Sequence, residues 1–596
     1  MCGIAGLLAT RVGAEATGAA SQMIQALAHR GPDGTRIEVS IAARGYQSTL
    51  AHARLSIIDL EGGWQPLHGA GCTVIGNGEI YNYLELAADF GLEGELATGS
   101  DFEPLLHLYA REGPTAFSRL RGMYALCLIG ADGRTWLARD PFGIKPLYLL
   151  EHEGGLAFAS EPRAFAAAGL LAPELDVDAA EELLGFSYAL TGSSLWKGVR
   201  KLAPGEVVDG RVAATPQAPS VSALARRSTS PASGGGVSAN IAPPLAGELS
   251  AKPTEGALLT RLDAVLEDSV RVHQRSDVPY GLFLSGGIDS AAIATLMARL
   301  NSRPVTAFTC GFDAEGARDE RAQAERVARA LDLDWRETRF GEEDFWRILP
   351  HVAWAMDDPT ADYASLPTYK LAEAAKGTLT VVLTGEGGDE LFGGYGRYRR
   401  ALRPAWLGGR PAEPRDAAPG ALERWRAAAK APAGLTRLQQ AQWADVATWL
   451  PNDLLLKLDR CLMAHGLEGR TPFLDPKVAA FAFPLPDRFK VRGRYGKWLL
   501  RKWLERHCPA AEPWARKQGF TVPVEAWIAP RAAEIAPRIA RIEAVRRLRA
   551  PEAVARVFAS EAAHRRWPLL FFAVWSLIHL EGASPQAALE EVVGRV

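Results

Sequence analysis

Short apolar runs separated by turn residues fill the first 160 positions. Residues 50–60, 72–75, 123–129 and 135–138 have the composition of β-strands, with Asp132-Gly133 and Gly154-Gly155 placed as hairpin turns. Helical spacing occurs over 17–27 and 101–111, the second with Ser100 as a candidate N-cap. This pattern predicts an α+β domain with antiparallel sheet over residues 1–210. The texture then changes. Residues 211–253 are rich in Ala, Pro, Ser and Gly and include Gly234-Gly235-Gly236, without an aromatic residue after position 213. Such a run buries too little apolar surface to offset its ordering entropy, so a flexible linker is expected. From residue 254 the order becomes helix (258–272), strand (280–284), helix (291–300), strand (305–310), helix (319–331) and strand (379–383). Apolar strands alternating with crossover helices predict an α/β domain with a parallel sheet over 254–596, mostly helical beyond Trp406.

Length supports this division, because 596 residues exceed what one core accommodates. Apolar content of 48% and charged content of 23% are those of an ordinary globular protein. Lys plus Arg total 67 against 69 Asp plus Glu, a net charge of −2, which gives no support for nucleic-acid binding. No apolar run reaches the length of a membrane span, and the N-terminus carries no basic stretch of a signal peptide. Six scattered cysteines without metal-type spacing fit a reduced, cytoplasmic protein lacking structural zinc.

Chemistry concentrates at four places. Phe283-Leu284-Ser285-Gly286-Gly287-Ile288-Asp289-Ser290 runs from a strand through a small-residue turn into a helix start. Glycine N–H groups and the helix terminus can cradle phosphate there, and Asp289 suits a metal ion bridged to it. Thr384-Gly385-Glu386-Gly387-Gly388-Asp389-Glu390 repeats the arrangement after another buried strand, so Asp289 and Asp389 are candidate Mg²⁺ ligands and Glu386 a candidate general base or transition-state stabiliser. Lys497 and Arg501, spaced i,i+4, are candidate cations for developing phosphate charge. At the other end, removal of Met1 would leave Cys2 with a free α-amine, able to act as base for its own thiol. Asn77 and the Gly78 N–H can donate to an oxyanion, Arg54 can pair with an α-carboxylate, and Glu79 and Asp101 can hold an α-ammonium. Singly, each has an ordinary reading: a turn, a surface ion pair or a small buried thiol.

Together and in order, these segments resemble the glutamine-dependent asparagine synthetase family. The resemblance runs from Cys2 to about Pro204 and from about Leu258 to Trp575, leaving the linker unmatched. It is carried by Cys2-Gly3-Ile4-Ala5-Gly6, His29-Arg30-Gly31-Pro32-Asp33, Arg54-Leu55-Ser56-Ile57-Ile58-Asp59, Gly76-Asn77-Gly78-Glu79-Ile80-Tyr81-Asn82 and Arg139-Asp140-Pro141-Phe142-Gly143. In the second half it is carried by Ser276-Asp277-Val278-Pro279, the two glycine loops and Arg470-Thr471-Pro472-Phe473-Leu474-Asp475.

The resemblance implies a four-layer αββα N-terminal-nucleophile domain joined to an ATP-pyrophosphatase domain. It implies Cys2 as glutaminase nucleophile and Asn77 with Gly78 as oxyanion hole. Arg54, Leu55, Ser56, Ile57, Ile58, Asn77, Gly78, Glu79 and Asp101 would line the glutamine site. Phe283, Leu284, Ser285, Gly286, Gly287, Asp289, Ser290, Cys310, Thr384 and Gly385 would bind ATP, with Glu386 and Lys497 acting in adenylation and amide formation. The implied substrates are glutamine, aspartate and ATP with Mg²⁺, and a homodimer is the assembly considered. Ammonia from glutamine would amidate an adenylated aspartate β-carboxylate. Rival readings are a related amidotransferase with another carboxylate acceptor, a β-lactam synthetase-like enzyme, against which Cys2 and the intact glutamine set argue, and a non-catalytic scaffold. Thr384 and Ala291 stand where the family often has Ser.

Overall fold

The structure is a computed structural model that describes residues 2–11, 14–41, 46–153, 155–210, 239–240, 254–313, 320–407, 409, 413–414, 417–515, 522–560 and 565–594. In the first half the strands are β1 (Gly3–Arg11), β2 (Gly34–Ile41), β3 (Tyr46–Arg54), β4 (Leu67–Gly69), β5 (Cys72–Ile80) and β6 (Gly122–Ile129). They continue with β7 (Thr135–Arg139), β8 (Tyr148–His152), β9 (Gly155–Ala159), β10 (Val199–Lys201), β11 (Glu206–Asp209) and β12 (Ala239–Asn240). They make two six-stranded antiparallel sheets, ordered β10-β8-β9-β1-β3-β2 and β12-β11-β7-β6-β5-β4. Ile4, Leu8, Leu50 and Phe158 of one sheet meet Ile75, Cys127 and Leu137 of the other in a shared core. Strand alternation turns the opposite faces outward, where they are covered by helices. Ala20, Met23 and Ile24 of the helix Ala14–Ala26 pack on the first sheet, and Leu105 and Leu108 of the helix Glu103–Glu112 on the second. The four-layer αββα arrangement is therefore present.

The second half is built on β13 (Tyr280–Phe283), β14 (Thr306–Phe312), β15 (Asp334–Phe340), β16 (Val381–Leu383) and β17 (Glu468–Arg470), all parallel, in the order β15-β14-β13-β16-β17. The chain winds one way from β13 to β15 and the other from β16 to β17. The β13–β16 boundary is thus the topological switch point, the place where open parallel sheets bind ligands. Leu262, Leu266, Ala292 and Leu296 cover one face over Leu282 and Val381. Phe345, Leu349 and Leu366 cover the other over Val382.

Several elements differ from the sequence pattern. β3 stops at Arg54, so 55–60 is a loop rather than strand, while β5 extends through the Asn77-Gly78 motif. The helix after Ser100 begins at Glu103, without a side-chain cap. Asp101 is thereby released to accept the Ile80 N–H at 2.7 Å. Strands β15 and β17 have no counterpart in the apolar pattern. The linker expected over 211–253 lies outside the described residues apart from Ala239–Asn240, which pair with Val207 and Glu206. Among the described residues no helix is long and apolar enough to cross a membrane.

Candidate active sites

Cys2 immediately precedes β1, buried, with its Sγ 3.9 Å from the Leu55 carbonyl. Its backbone N–H donates to Asn77 Oδ1 at 3.1 Å. That contact fixes the orientation of the Asn77 amide, leaving Nδ2 buried and without a hydrogen-bond partner. An orphaned donor beside a thiol is what an oxyanion hole presents before substrate arrives. Gly78, at φ 137°, has no room for a side chain, because a Cβ would overlap the Met123 carbonyl. Burial pushes the Cys2 thiol up, against the pull of the nearby amino-terminal charge.

The loop 55–58 closes one side. Leu55 and Ile57 are buried, and the Ser56 N–H donates to Asp33 Oδ2 at 2.6 Å. Ile57 O accepts from Asp277 N at 2.9 Å, and Asp59 N donates to Asp277 Oδ2 at 2.8 Å, so this loop is anchored to the second domain. Ile58 packs on the same domain's core. Arg54 spends Nη2 on the Asp59 carbonyl at 2.6 Å and lies 4.7 Å over the Trp64 ring. Its Nη1 is buried without a partner, a donor for a carboxylate. Opposite in charge are Glu79 and Asp101. Burial raises both, Asp101 to about 7; the Asp101 charge adds to the cost at Glu79, and the Glu468 charge to the cost at Asp101. A bound ammonium would relieve both.

The second site lies at the switch point. Phe283 ends β13, and the Leu284 N–H donates to Phe308 O at 2.9 Å, continuing the ladder. In the loop Ser290 Oγ accepts from Ser285 N at 3.2 Å, and Ser285 Oγ accepts from Gly287 N at 3.1 Å. The Gly286 N–H donates to Glu320 Oε2 at 3.2 Å. That N–H thus already faces a carboxylate oxygen. The helix Ile288–Leu300 follows, placing its positive end at the same point. Gly385 and Gly388 let the second loop approach the first, since a Cβ on them would lie 2.8 Å from Asp289 Cβ and 2.6 Å from its Oδ1. Thr384 donates its N–H to Arg470 O at 2.8 Å. Cys310, on β14, is buried and its thiol is pushed up to about 12, which makes it an inert wall.

Asp289 and Asp389 converge on Lys497. The Lys497 Nζ pairs with Asp289 Oδ2 and lies 2.6 Å from Asp389 Oδ1. Two carboxylates already gathered around one positive charge fit a Mg²⁺ ion shared with phosphate oxygens. Lys497 itself takes a left-handed φ of 54° as N-cap of the helix Trp498–His507. Arg501 donates Nε to Gly496 O at 2.8 Å and Nη1 to Pro513 O, and lies near enough to feel the charges of Asp289 and Asp389. Glu386 is raised by burial and sits 3.8 Å from Lys457 Nζ, which also holds Asp362 at 2.9 Å. No local pattern marks Lys457, because its partners come from distant loops. The two domains meet over buried charges. Arg30 grips Asp459 through both Nη atoms at 2.8 and 3.1 Å and Glu161 at 2.9 Å, while Arg460 joins Glu161 at 3.1 Å to Asp357 at 3.0 Å.

An αββα sandwich opening on a cysteine, joined to a parallel sheet with glycine loops at its switch point, defines an amidotransferase-type hydrolase fused to a nucleotide-binding domain. Residues 1–219 match the glutamine amidotransferase domain and residues 261–579 asparagine synthase. The chain belongs to the asparagine synthase family. A putative glutamine-hydrolysing asparagine synthetase of Mycobacterium tuberculosis is 33% identical, covering 98% of each chain. Asparagine synthetase 1 of Bacillus subtilis is 31% identical over 94% of this chain and 93% of its own. Asparagine synthetase B of Escherichia coli is 29% identical over 87% and 82%.

Proposed function

We propose that the chain is a glutamine-hydrolysing asparagine synthetase. The reading is carried by one observation: both polar sets, one around an orphaned Asn77 Nδ2 and one around Asp289, Asp389 and Lys497, occur in a single chain. Its six cysteines are unpaired and buried, in keeping with a reducing cytoplasm.

In the first half-reaction glutamine lies with its α-carboxylate on Arg54 Nη1 and its α-ammonium between Glu79 and Asp101. Cys2, freed of Met1, attacks the side-chain amide, its α-amine taking the thiol proton. The tetrahedral oxyanion is met by Asn77 Nδ2 and the Gly78 N–H. The Cys2 α-ammonium returns its proton to the amide nitrogen as the C–N bond breaks, so collapse expels ammonia and leaves a thioester, which water hydrolyses to glutamate.

In the second, the 285–290 loop receives the ATP phosphates. Asp289 and Asp389 would hold Mg²⁺, which when bound offsets charge on the departing pyrophosphate. Lys497 supplies a further cation beside it. The aspartate β-carboxylate takes AMP, because a carboxylate alone is a poor electrophile. Ammonia then displaces AMP, and Glu386, its basicity raised by burial, receives the proton this releases. Ammonia would travel within the protein, where it keeps its lone pair.

The test is pyrophosphate release from purified protein given glutamine, ATP, Mg²⁺ and a panel of carboxylate acceptors. Aspartate-dependent release with asparagine formed is expected; glutaminase activity indifferent to aspartate would overturn the reading. Cys2→Ala should lose glutamine use and keep ammonia-dependent synthesis.

A further inference from the structure

Arg470 belongs to neither site, yet it touches both. It is the last residue of β17, and its carbonyl accepts the N–H of Thr384, the first residue of the second nucleotide loop, at 2.8 Å. Its side chain crosses the domain boundary, where Nη2 lies 3.1 Å from Glu79 Oε1 on β5. The other donors are committed too: Nε to Glu468 Oε1 at 2.5 Å, Nη1 to the carbonyls of His273 at 2.9 Å and Arg275 at 2.6 Å. Those carbonyls lead into Ser276-Asp277, and Asp277 anchors the 55–59 loop beside Cys2. Arg470, Glu79 and Glu468 are all buried.

We propose that Arg470 is a positioning residue that couples glutamine engagement to the state of the nucleotide loop. This rests on the functional reading above. Without glutamine, the Arg470 guanidinium is the partner of Glu79. A glutamine ammonium arriving between Glu79 and Asp101 shares that carboxylate and draws it away from the guanidinium. The planar fork cannot follow without disturbing its carbonyl partners, and its own carbonyl is bonded to Thr384. The two sites therefore bias one residue from opposite ends. By linkage, whatever ATP does to glutamine affinity, glutamine does to ATP affinity.

The experiment measures glutamine Kd on the Cys2→Ala protein with and without ATP, Mg²⁺ and aspartate, and glutamate formed per asparagine on the active protein. The unmodified Arg470 background should bind glutamine about fivefold or more tightly with the nucleotide present. Arg470→Lys keeps the charge and loses the fork; it should abolish that difference and raise glutamate formed per asparagine, with ammonia-dependent synthesis retained. Glu468→Gln, which frees Arg470 Nε from a charged partner while touching neither substrate, should weaken the coupling in the same direction. It also carries the test if the lysine variant does not fold. Coupling absent from the Arg470 background, or unchanged in a folded variant, overturns the proposal. Failure of the Arg470 protein to make asparagine from ammonia would instead sink the functional reading, and the coupling with it.

Discussion

Asn77 holds the Cys2 nitrogen with Oδ1 and keeps Nδ2 buried without a partner; in the proposed reaction that Nδ2 would meet the oxyanion. Asn77→Ala should lower glutaminase kcat by about 100-fold or more, the usual effect of removing one oxyanion donor, with ammonia-dependent synthesis unchanged. Asp101 makes a different prediction. Its folded value, about 7, stands above its ordinary 3.8 because it is buried. The folded state thus binds the proton more tightly than the unfolded one. That contribution to stability is complete below about pH 4 and is lost as pH rises through about 7. If Asp101 holds glutamine's ammonium as proposed, glutamine KM should rise as pH falls below about 7, and Asp101→Asn should flatten both trends. Steady-state kinetics and thermal unfolding across pH check this. These residues were legible from their motifs. Lys457 was not, because a lysine inside a helix carries no sign that Glu386 and Asp362 will fold against it.

At the scale of elements, what was legible followed apolar pattern. β13, β14 and β16 are flanked on both faces and read as apolar runs, whereas β15 is the sheet's edge. Its sequence, Asp334-Trp335-Arg336-Glu337-Thr338-Arg339-Phe340, leaves charged side chains in solvent and hides the strand from a hydrophobicity scan. β17 spans Glu468–Arg470, and its side chains form ion pairs rather than an apolar run. The reverse holds after Arg54, where the apolar Leu55, Ile57 and Ile58 belong to a loop packed on the neighbouring domain. Turns also make a prediction. A Cβ on Gly394 would overlap Asp389 Oδ1 and Lys497 Cε, two side chains held to each other by an ion pair in the second site. Gly394→Ala should therefore lose aspartate-dependent pyrophosphate release by at least about 10-fold while glutaminase activity survives, a split that separate assays resolve.

For the whole molecule, the domain boundary is closed by buried charges as well as by apolar contacts such as those of Leu55, Ile57, Phe142 and Ile144. Arg30, Glu161, Asp357, Asp459 and Arg460 are buried, and each answers another across or along the interface. Removing one partner strands the rest. Arg30→Ala is expected to cost about 3–5 kcal/mol, measured by urea unfolding, and to damage glutamine-dependent synthesis more than ammonia-dependent synthesis. None of this assembly was visible from local pattern, since it depends on which distant segments meet.

The Lys497 ammonium between Asp289 and Asp389 also sets an order of events. With its counter-charge already built in, the carboxylate pair has little electrostatic hunger for a bare divalent ion. Magnesium should come as freight with the nucleotide, whose phosphates give the lysine somewhere else to go. Millimolar Mg²⁺ alone should leave the melting temperature unchanged, ATP with Mg²⁺ should raise it, and chelation should cancel the rise. In Lys497→Met the free ion should bind unaided, turning a guarded berth into an open one.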